Sequence, residues 1–230
     1  MTVYYADTAN LKELKDVRPL VRGCTTNPLI MAKEGVQYSP EIIQNIARVI
    51  PWHVSVELTS EDPEQMIEEA KKYRGWGDGI ERIKNPVVIK VPIQSTTGRT
   101  NLDIVSLLSE EGIPTNVTCC MTPGQMYGAS QAGATYASIF WGRVADQGYD
   151  PVTVVQEIVE QFKQSGTKTQ IIVGSLRQVL DVTYARRTGA DILTVTPDVL
   201  KKTLHHPRSI ETQREFIGAY EKLRMQQEKV

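Results

Sequence analysis

The sequence predicts one domain, residues 1–230, built as a (β/α)8 barrel of the TIM type with an additional C-terminal helix. Three observations predict this fold. Eight short strand-like runs recur along the chain, a helical stretch follows each of them, and 230 residues are a usual length for eight such units. Strands that alternate with helices form a parallel sheet, because parallel neighbours need a crossover connection between them.

In chain order the strand-like runs span residues 3–7, 23–27, 54–58, 87–92, 115–119, 136–141, 169–174 and 192–196. The segments between them carry helix-start signals, in which a capping side chain precedes a proline at the first helical position. These pairs are Ser39-Pro40, Asp62-Pro63, Thr122-Pro123 and Asp150-Pro151. Gly166 and Gly189 stand where a helix ends in a left-handed residue.

An open, doubly wound sheet is the alternative arrangement of these elements. It is disfavoured because no GxGxxG sequence follows the first strand-like run. The last segment, residues 209–229, predicts a further helix beyond the eight units. Its apolar positions are more than a solvated tail carries, so we expect it to pack on its own barrel or on a second copy: Ile210, Phe216, Ile217, Tyr220 and Leu223.

Composition and charge exclude several classes of protein. The 26 basic and 27 acidic residues are interspersed, whereas a nucleic-acid or membrane-surface protein needs a basic patch. No apolar run is long enough to span a membrane, and the first residues resemble neither a signal nor a transit peptide. Three cysteines without a CxxC pattern indicate a reducing compartment. The three histidines lack the spacing of metal ligands, so we predict no metal and no other cofactor.

Strand periodicity predicts a group of polar side chains inside the barrel. Side chains alternate between the interior and the surrounding helices, and Lys90, Glu57, Asn116, Thr118, Ser138 and Phe140 fall on inward positions near the ends of their strands. Asp7 and Asn27 end the first two strands. The C-terminal ends of the strands are where barrel enzymes keep their catalytic groups.

Taken alone, each of these residues has a structural explanation. Lys90 can be a solvated strand end, Asp7 can cap a helix, and Glu57 can be an ion-pair partner. Cys119 and Cys120 are most simply small packing residues. The joint occurrence of the polar residues at one end of several strands favours function, because buried charges are costly unless they are paired.

Six runs, in this order and on these strands, resemble the transaldolase family: ADTAN, GCTTNPLI, VVIKVP, GIPTNVT, SIFWGR and VGSLR. The resemblance extends from Val3 to Pro207, and the length is similar to the small subfamily that also contains the fructose-6-phosphate aldolases. Trp141 departs from the aliphatic residue that the family often has there. The segments ADQGYDP and QSTTGRTN match no common pattern of the family.

The resemblance implies a Schiff-base lysine on the fourth strand, Lys90. It implies catalytic roles for Asp7, for Glu57 and for Thr118, which with Glu57 would handle the water of imine formation. Binding of the three-carbon unit is implied for Thr26, Asn27, Asn116, Ser138 and Phe140. Binding of the sugar phosphate is implied for Arg143, Ser175 and Arg177, since guanidinium groups bind phosphate oxygens in pairs.

The activity implied is transfer of a dihydroxyacetone unit from fructose 6-phosphate or sedoheptulose 7-phosphate to an aldose phosphate, in the pentose phosphate pathway. One alternative is a fructose-6-phosphate aldolase, in which the family suggests Gln at Glu57 and Tyr at Phe140. Another is a sugar-phosphate-binding barrel without catalysis. The subfamily also implies a cytoplasmic pentamer or decamer, in which residues 209–229 reach a neighbouring subunit.

Overall fold

A computed structural model describes residues 1–81 and 83–227 of the chain. Eight parallel strands close into a barrel in which each strand pairs with the next one in sequence, and the eighth pairs with the first. Helices connect the strands on the outside of the barrel. The predicted (β/α)8 barrel is therefore confirmed, and the open sheet is excluded.

The strands are β1 (Val3–Asp7), β2 (Val21–Thr25), β3 (Val54–Glu57), β4 (Val87–Pro92), β5 (Thr115–Cys120), β6 (Tyr136–Phe140), β7 (Gln170–Leu176) and β8 (Ile192–Val195). The helices are α1 (Leu11–Val17), α2 (Pro28–Lys33), α3 (Pro40–Val49), α4 (Pro63–Gly75), α5 (Leu102–Glu110), α6 (Pro123–Gln131), α7 (Trp141–Asp146), α8 (Pro151–Ser165), α9 (Val179–Arg187), α10 (Pro197–Leu204) and α11 (Pro207–Gln227).

The helix-start signals are confirmed, because the four capping side chains accept backbone N–H groups in the first turns of α3, α4, α6 and α8. Gly166 ends α8 at a φ of 63°. Six of the eight strands have a boundary one or two residues away from the predicted one, and two of these differences bear on the site. β2 ends at Thr25 because Asn27 caps α2, and β6 ends at Phe140 because Trp141 begins α7. Both α2 and α7 are only six residues long, too short for a clear helical period.

The N-terminal half of the barrel interior is filled by a small cluster of buried side chains: Tyr5, Val88, Tyr136, Ile172 and Ile192. The Tyr5 ring lies against Gly23, where an added Cβ would be 2.5 Å from the ring. Glycine at residue 23 therefore makes room for Tyr5. Because buried side chains fill this half of the barrel, a ligand can enter the interior from the C-terminal ends of the strands.

Helix α11 follows the eight units, as predicted, although it begins at Pro207 rather than at residue 209. The last two positions of the predicted helix, Glu228 and Lys229, lie outside the described residues. None of the α11 side chains within the described range is buried. Phe216, Tyr220 and Leu223 are each about 60% exposed. Among residues 1–81 and 83–227, no helix is long and apolar enough to cross a membrane.

Candidate active site

A cavity of about 210 Å³ opens at the C-terminal ends of the strands. Eight of the predicted site residues line it: Asp7, Asn27, Lys90, Thr118, Ser138, Phe140, Arg143 and Ser175. Four others lie outside its wall: Thr26, Glu57, Asn116 and Arg177. The remaining wall consists of Thr25, Leu29, Ile30, Gly174 and Thr194. Eight of the twelve predicted residues thus meet at one opening.

Lys90 lies on β4 with its amine buried in the barrel, and the residue is only 4% exposed. Its Nζ atom is 2.9 Å from Oε2 of Glu57. It also donates a hydrogen bond of 3.2 Å to the carbonyl of Thr26. Glu57 is the direct partner of Lys90 in the pairing of β3 with β4, so the backbone register itself brings the amine and the carboxylate together.

Asp7 ends β1 and faces the cavity. The hydroxyl of Thr25 donates to Asp7 Oδ1 at 2.7 Å. Because that hydroxyl has one proton, the hydroxyl of Thr194 must be the donor in its contact with Thr25. Burial raises the pKa of the Asp7 carboxyl above its usual value, against the opposing effects of the Lys90 charge and the Thr25 hydrogen bond.

A buried hydrogen-bond network crosses the barrel interior between β3, β5 and β6. Ser138 donates to Oδ1 of Asn116 at 2.6 Å, and Nδ2 of Asn116 donates to the hydroxyl of Ser55 at 3.2 Å. Thr118 also lies on β5, and its buried hydroxyl has no hydrogen-bond partner in the described part of the chain. A buried hydroxyl of this kind normally has a partner, so Thr118 has capacity for a water or a ligand.

The polar side chains at the end of β2 and in the connection after it point in different directions. The side chain of Asn27 accepts from the backbone N–H of Ile30 at 2.9 Å, so it caps α2 as well as lining the cavity. The hydroxyl of Thr26 donates to the carbonyl of Ser55 at 2.8 Å and is turned away from the cavity. Thr25, which has the inward parity of β2, occupies the cavity wall where the resemblance implied Thr26.

The predicted phosphate-binding residues lie on α7 and at the end of β7. Arg143 and Ser175 line the cavity. Arg177 instead forms a two-pronged ion pair with Asp146, with N–O distances of 2.7 and 2.6 Å. Its guanidinium lies close over Gly142, where an added Cβ would be 2.6 Å from Nε. Arg177 therefore lies next to the cavity rim with its position fixed by Asp146.

Sequence reasoning missed Thr25 and Thr194. Each lies on the inward face of its strand, so the alternation that identified Lys90 was also the signal for them. The alternation was applied to β3, β4, β5 and β6 but not to β2 or β8. Among the described residues, no group of three or more His, Cys, Asp or Glu is arranged to hold a metal ion.

Comparison with known proteins gives a family match over nearly the whole chain. The profile of the transaldolase/fructose-6-phosphate aldolase family matches residues 4–230. A probable transaldolase of Syntrophobacter fumaroxidans is 39% identical over 228 residues, covering 97% of this chain and 98% of that protein. A probable transaldolase of Dehalococcoides mccartyi is 37% identical over 206 residues, covering 88% and 90%.

Solved structures give a likeness of fold alone. A mandelate oxidase variant with 2-hydroxy-phenylacetamide has a TM-score of 0.57 and 14% sequence identity, and the match covers 86% of this chain and 64% of that one. A flavocytochrome b2 variant with bound sulfite has a TM-score of 0.55 at 16% identity, covering 86% and 56%. The chain thus spans less than two thirds of the length of these structures, and barrels host many chemistries.

Proposed function

Because the chain belongs to the transaldolase/fructose-6-phosphate aldolase family, we propose that it is a transaldolase that uses a Schiff base on Lys90. It moves a dihydroxyacetone unit from fructose 6-phosphate or sedoheptulose 7-phosphate to an aldose phosphate, in the pentose phosphate pathway. The observation that carries the proposal is the buried amine of Lys90, 2.9 Å from Glu57, in the interior of a barrel whose cavity Asp7 also lines.

In the proposed mechanism, Lys90, Glu57 and Thr118 carry out imine formation. The amine attacks only when it is unprotonated, and Glu57 is within hydrogen-bond distance to accept its proton. Nζ then bonds to the ketose carbonyl carbon, and the carbonyl oxygen leaves as water. The unpartnered hydroxyl of Thr118 is suited to hold that water beside Glu57.

Cleavage of the carbon–carbon bond is proposed for Asp7. The carboxylate takes the proton from the hydroxyl on the fourth carbon as the bond between the third and fourth carbons breaks. The electron pair of that bond moves toward the iminium nitrogen, which gives an enamine and a free aldose phosphate. The Thr194–Thr25–Asp7 hydrogen bonds hold the carboxylate in one orientation for this step. The acceptor aldose then reacts by the reverse sequence.

The donor sugar is proposed to lie across the cavity with its ends in different environments. Asn27, Asn116 and Ser138 hydrogen-bond the hydroxyls of the three-carbon unit, and Ser138 and Asn116 are already joined at 2.6 Å. The phosphate lies toward Arg143 and Ser175 on the cavity wall. Arg177 contributes from the rim through donors that its pair with Asp146 does not use.

Borohydride trapping tests this proposal. With fructose 6-phosphate present, we expect reduction to leave a stable adduct on Lys90, because only an iminium is reduced in place. The adduct is mainly the three-carbon dihydroxyacetone form, since cleavage precedes transfer, and mass spectrometry of proteolytic peptides locates it. Labelling on another lysine, or no labelling in an enzyme that transfers, would refute the Schiff-base assignment.

A second prediction separates transfer from release of dihydroxyacetone. Phe140 lines the cavity, and its ring cannot position a water by hydrogen bonding. We expect Phe140→Tyr to raise free dihydroxyacetone relative to transfer product by about tenfold, and the double variant with Glu57→Gln to raise it further. A tenfold change needs a difference of only about 1.4 kcal/mol between the barriers to release and to transfer. The ratio of the two products from fructose 6-phosphate measures this. An unchanged ratio in a folded Phe140→Tyr protein would mean that Phe140 only packs.

A third prediction concerns assembly. We propose a pentamer or decamer in which α11 packs on a neighbouring subunit, because the helix leaves Ile217 half-exposed and Phe216 65% exposed in the single chain. Sedimentation velocity at micromolar concentration is expected to show an oligomer. Phe216→Asp with Tyr220→Asp is expected to reduce its size, whereas a stable wild-type monomer would contradict the proposal.

The unpaired cysteines Cys24, Cys119 and Cys120 support the proposed cytoplasmic location.

A further inference from the structure

Glu34 directly follows α2 and holds the connection that follows the catalytic strand β1. Its Oε1 atom accepts from the hydroxyl of Thr8 at 2.9 Å, and its Oε2 atom accepts from the backbone N–H of Ala9 at 2.8 Å. Both carboxylate oxygens are thus engaged by the two residues after Asp7. Charge-assisted bonds of this kind are stronger than neutral ones.

Thr8 is held from several directions. It is fully buried, its hydroxyl accepts from the backbone N–H of Asn10 at 3.0 Å, and its carbonyl accepts from the thiol of Cys24 at 3.1 Å. Glu34 supplies the only carboxylate among these contacts, and it acts on both the side chain of Thr8 and the next peptide. Glu34 therefore holds both residues on the C-terminal side of Asp7, in addition to the contacts of Thr8 with Asn10 and Cys24.

Helix α2 also carries a residue of the cavity wall. Asn27 caps its first turn and lines the cavity, and Glu34 stands one residue beyond its last turn. One six-residue helix thus joins the amide of Asn27 to the connection after Asp7, although 20 residues of sequence separate these two positions. The helix acts there together with the pairing of Asp7 with Thr25 in the sheet.

We propose that Glu34 is a positioning residue for Asp7 in the cleavage step; this rests on the function proposed above. Glu34 does not touch the substrate. It holds Thr8 and Ala9 so that the Asp7 carboxylate meets the hydroxyl on the fourth carbon of the donor. Imine formation does not depend on it, because Lys90 and Glu57 are carried by β4 and β3.

The expected effect is specific to one step. In Glu34→Gln an NH2 group replaces one of the two acceptor oxygens, so one of the two hydrogen bonds must break or reverse its direction, and both lose the assistance of the negative charge. A displacement of about 1 Å in a catalytic group can lower a rate by about 100-fold. We therefore expect the rate of transfer from fructose 6-phosphate to fall by roughly 10- to 100-fold. The rate of imine formation is expected to stay close to that of the wild type.

Quenching the reaction with borohydride at short times separates the two steps by adduct mass. The wild type is expected to yield the three-carbon adduct, and Glu34→Gln the intact six-carbon phosphorylated adduct in similar total amount. Glu41→Gln, an exposed glutamate in the first turn of α3, is the matched control and is expected to behave as wild type. Thr8→Val is expected to accumulate the six-carbon adduct. Thr8→Ser, which keeps the hydroxyl, is expected to give the three-carbon adduct of the wild type. These two variants test the inference even where Glu34→Gln folds poorly.

Two outcomes overturn the inference. One is a Glu34→Gln protein that slows imine formation and cleavage equally, which indicates a purely structural role. The other is an adduct pattern identical to that of Glu41→Gln. Asp7→Asn is measured in parallel. If it also fails to accumulate the six-carbon adduct, the proposed role of Asp7 fails; if it accumulates that adduct and Glu34→Gln does not, only the inference about Glu34 fails.

Discussion

Lys90→Ala is expected to abolish borohydride labelling and to lower kcat/KM for dihydroxyacetone transfer by at least about 10⁴-fold, as loss of a covalent nucleophile does in other enzymes. Among the described residues, Lys90 is the only lysine that lines the cavity, so no other amine there can replace it. The measurement is transfer from fructose 6-phosphate to an aldose phosphate, with mass spectrometry of the borohydride-treated protein.

Stability must be measured with the same variant, because it leaves Glu57 without its cation. The Glu57 side chain is only 15% exposed, and removing one partner of a buried pair costs about 3–5 kcal/mol. Lys90→Arg is the matched control, since it keeps a positive charge beside Glu57 but has no nucleophilic amine. We expect it to be as inactive as Lys90→Ala and more stable. Substantial activity in folded Lys90→Arg would contradict the covalent mechanism.

Asp7→Asn is expected to lower the rate of carbon–carbon cleavage by about 10²- to 10⁴-fold, which is the usual contribution of a general base. Imine formation on Lys90 is expected to persist, so borohydride traps the six-carbon adduct. Asp7→Asn is nearly isosteric and keeps an oxygen for the hydrogen bond from Thr25. Rapid quenching with borohydride separates the two steps. Normal cleavage in this variant would show that another group takes the proton.

The same substitution is expected to stabilise the fold at neutral pH. Burial raises the pKa of Asp7 above the usual 3.8, so folding favours the protonated carboxyl. The protonated carboxyl of Asp7 thus contributes to the stability of the folded state. This contribution is complete below the unfolded-state pKa and is lost as the pH rises through the higher folded-state pKa. The Tm of Asp7→Asn is therefore expected to exceed that of the wild type at neutral pH, and the difference to shrink as the pH falls toward 4. A lower Tm at neutral pH would show that the Asp7 charge stabilises the fold.

Much of the site was predictable because a strand alternates its faces with a period of two. Lys90, Thr118 and Ser138 were placed inward from parity alone, and all three line the cavity. Thr26 was expected at the cavity wall from the family resemblance and not from parity. Thr25 has the inward parity of β2 and lines the cavity instead. Beyond Thr25 the chain leaves the strand, and the cap of α2 decides its conformation.

The sequence by itself determined the order of strands and helices and the helix caps, because these depend on neighbours a few residues apart. It also determined which strand ends carry polar side chains. Only the tertiary structure decided which groups meet. The Glu57–Lys90 pair depends on the register of β3 against β4, and the Arg177–Asp146 pair on how α7 packs beside the end of β7. Such contacts join residues that are far apart in sequence, and no local pattern encodes their distance.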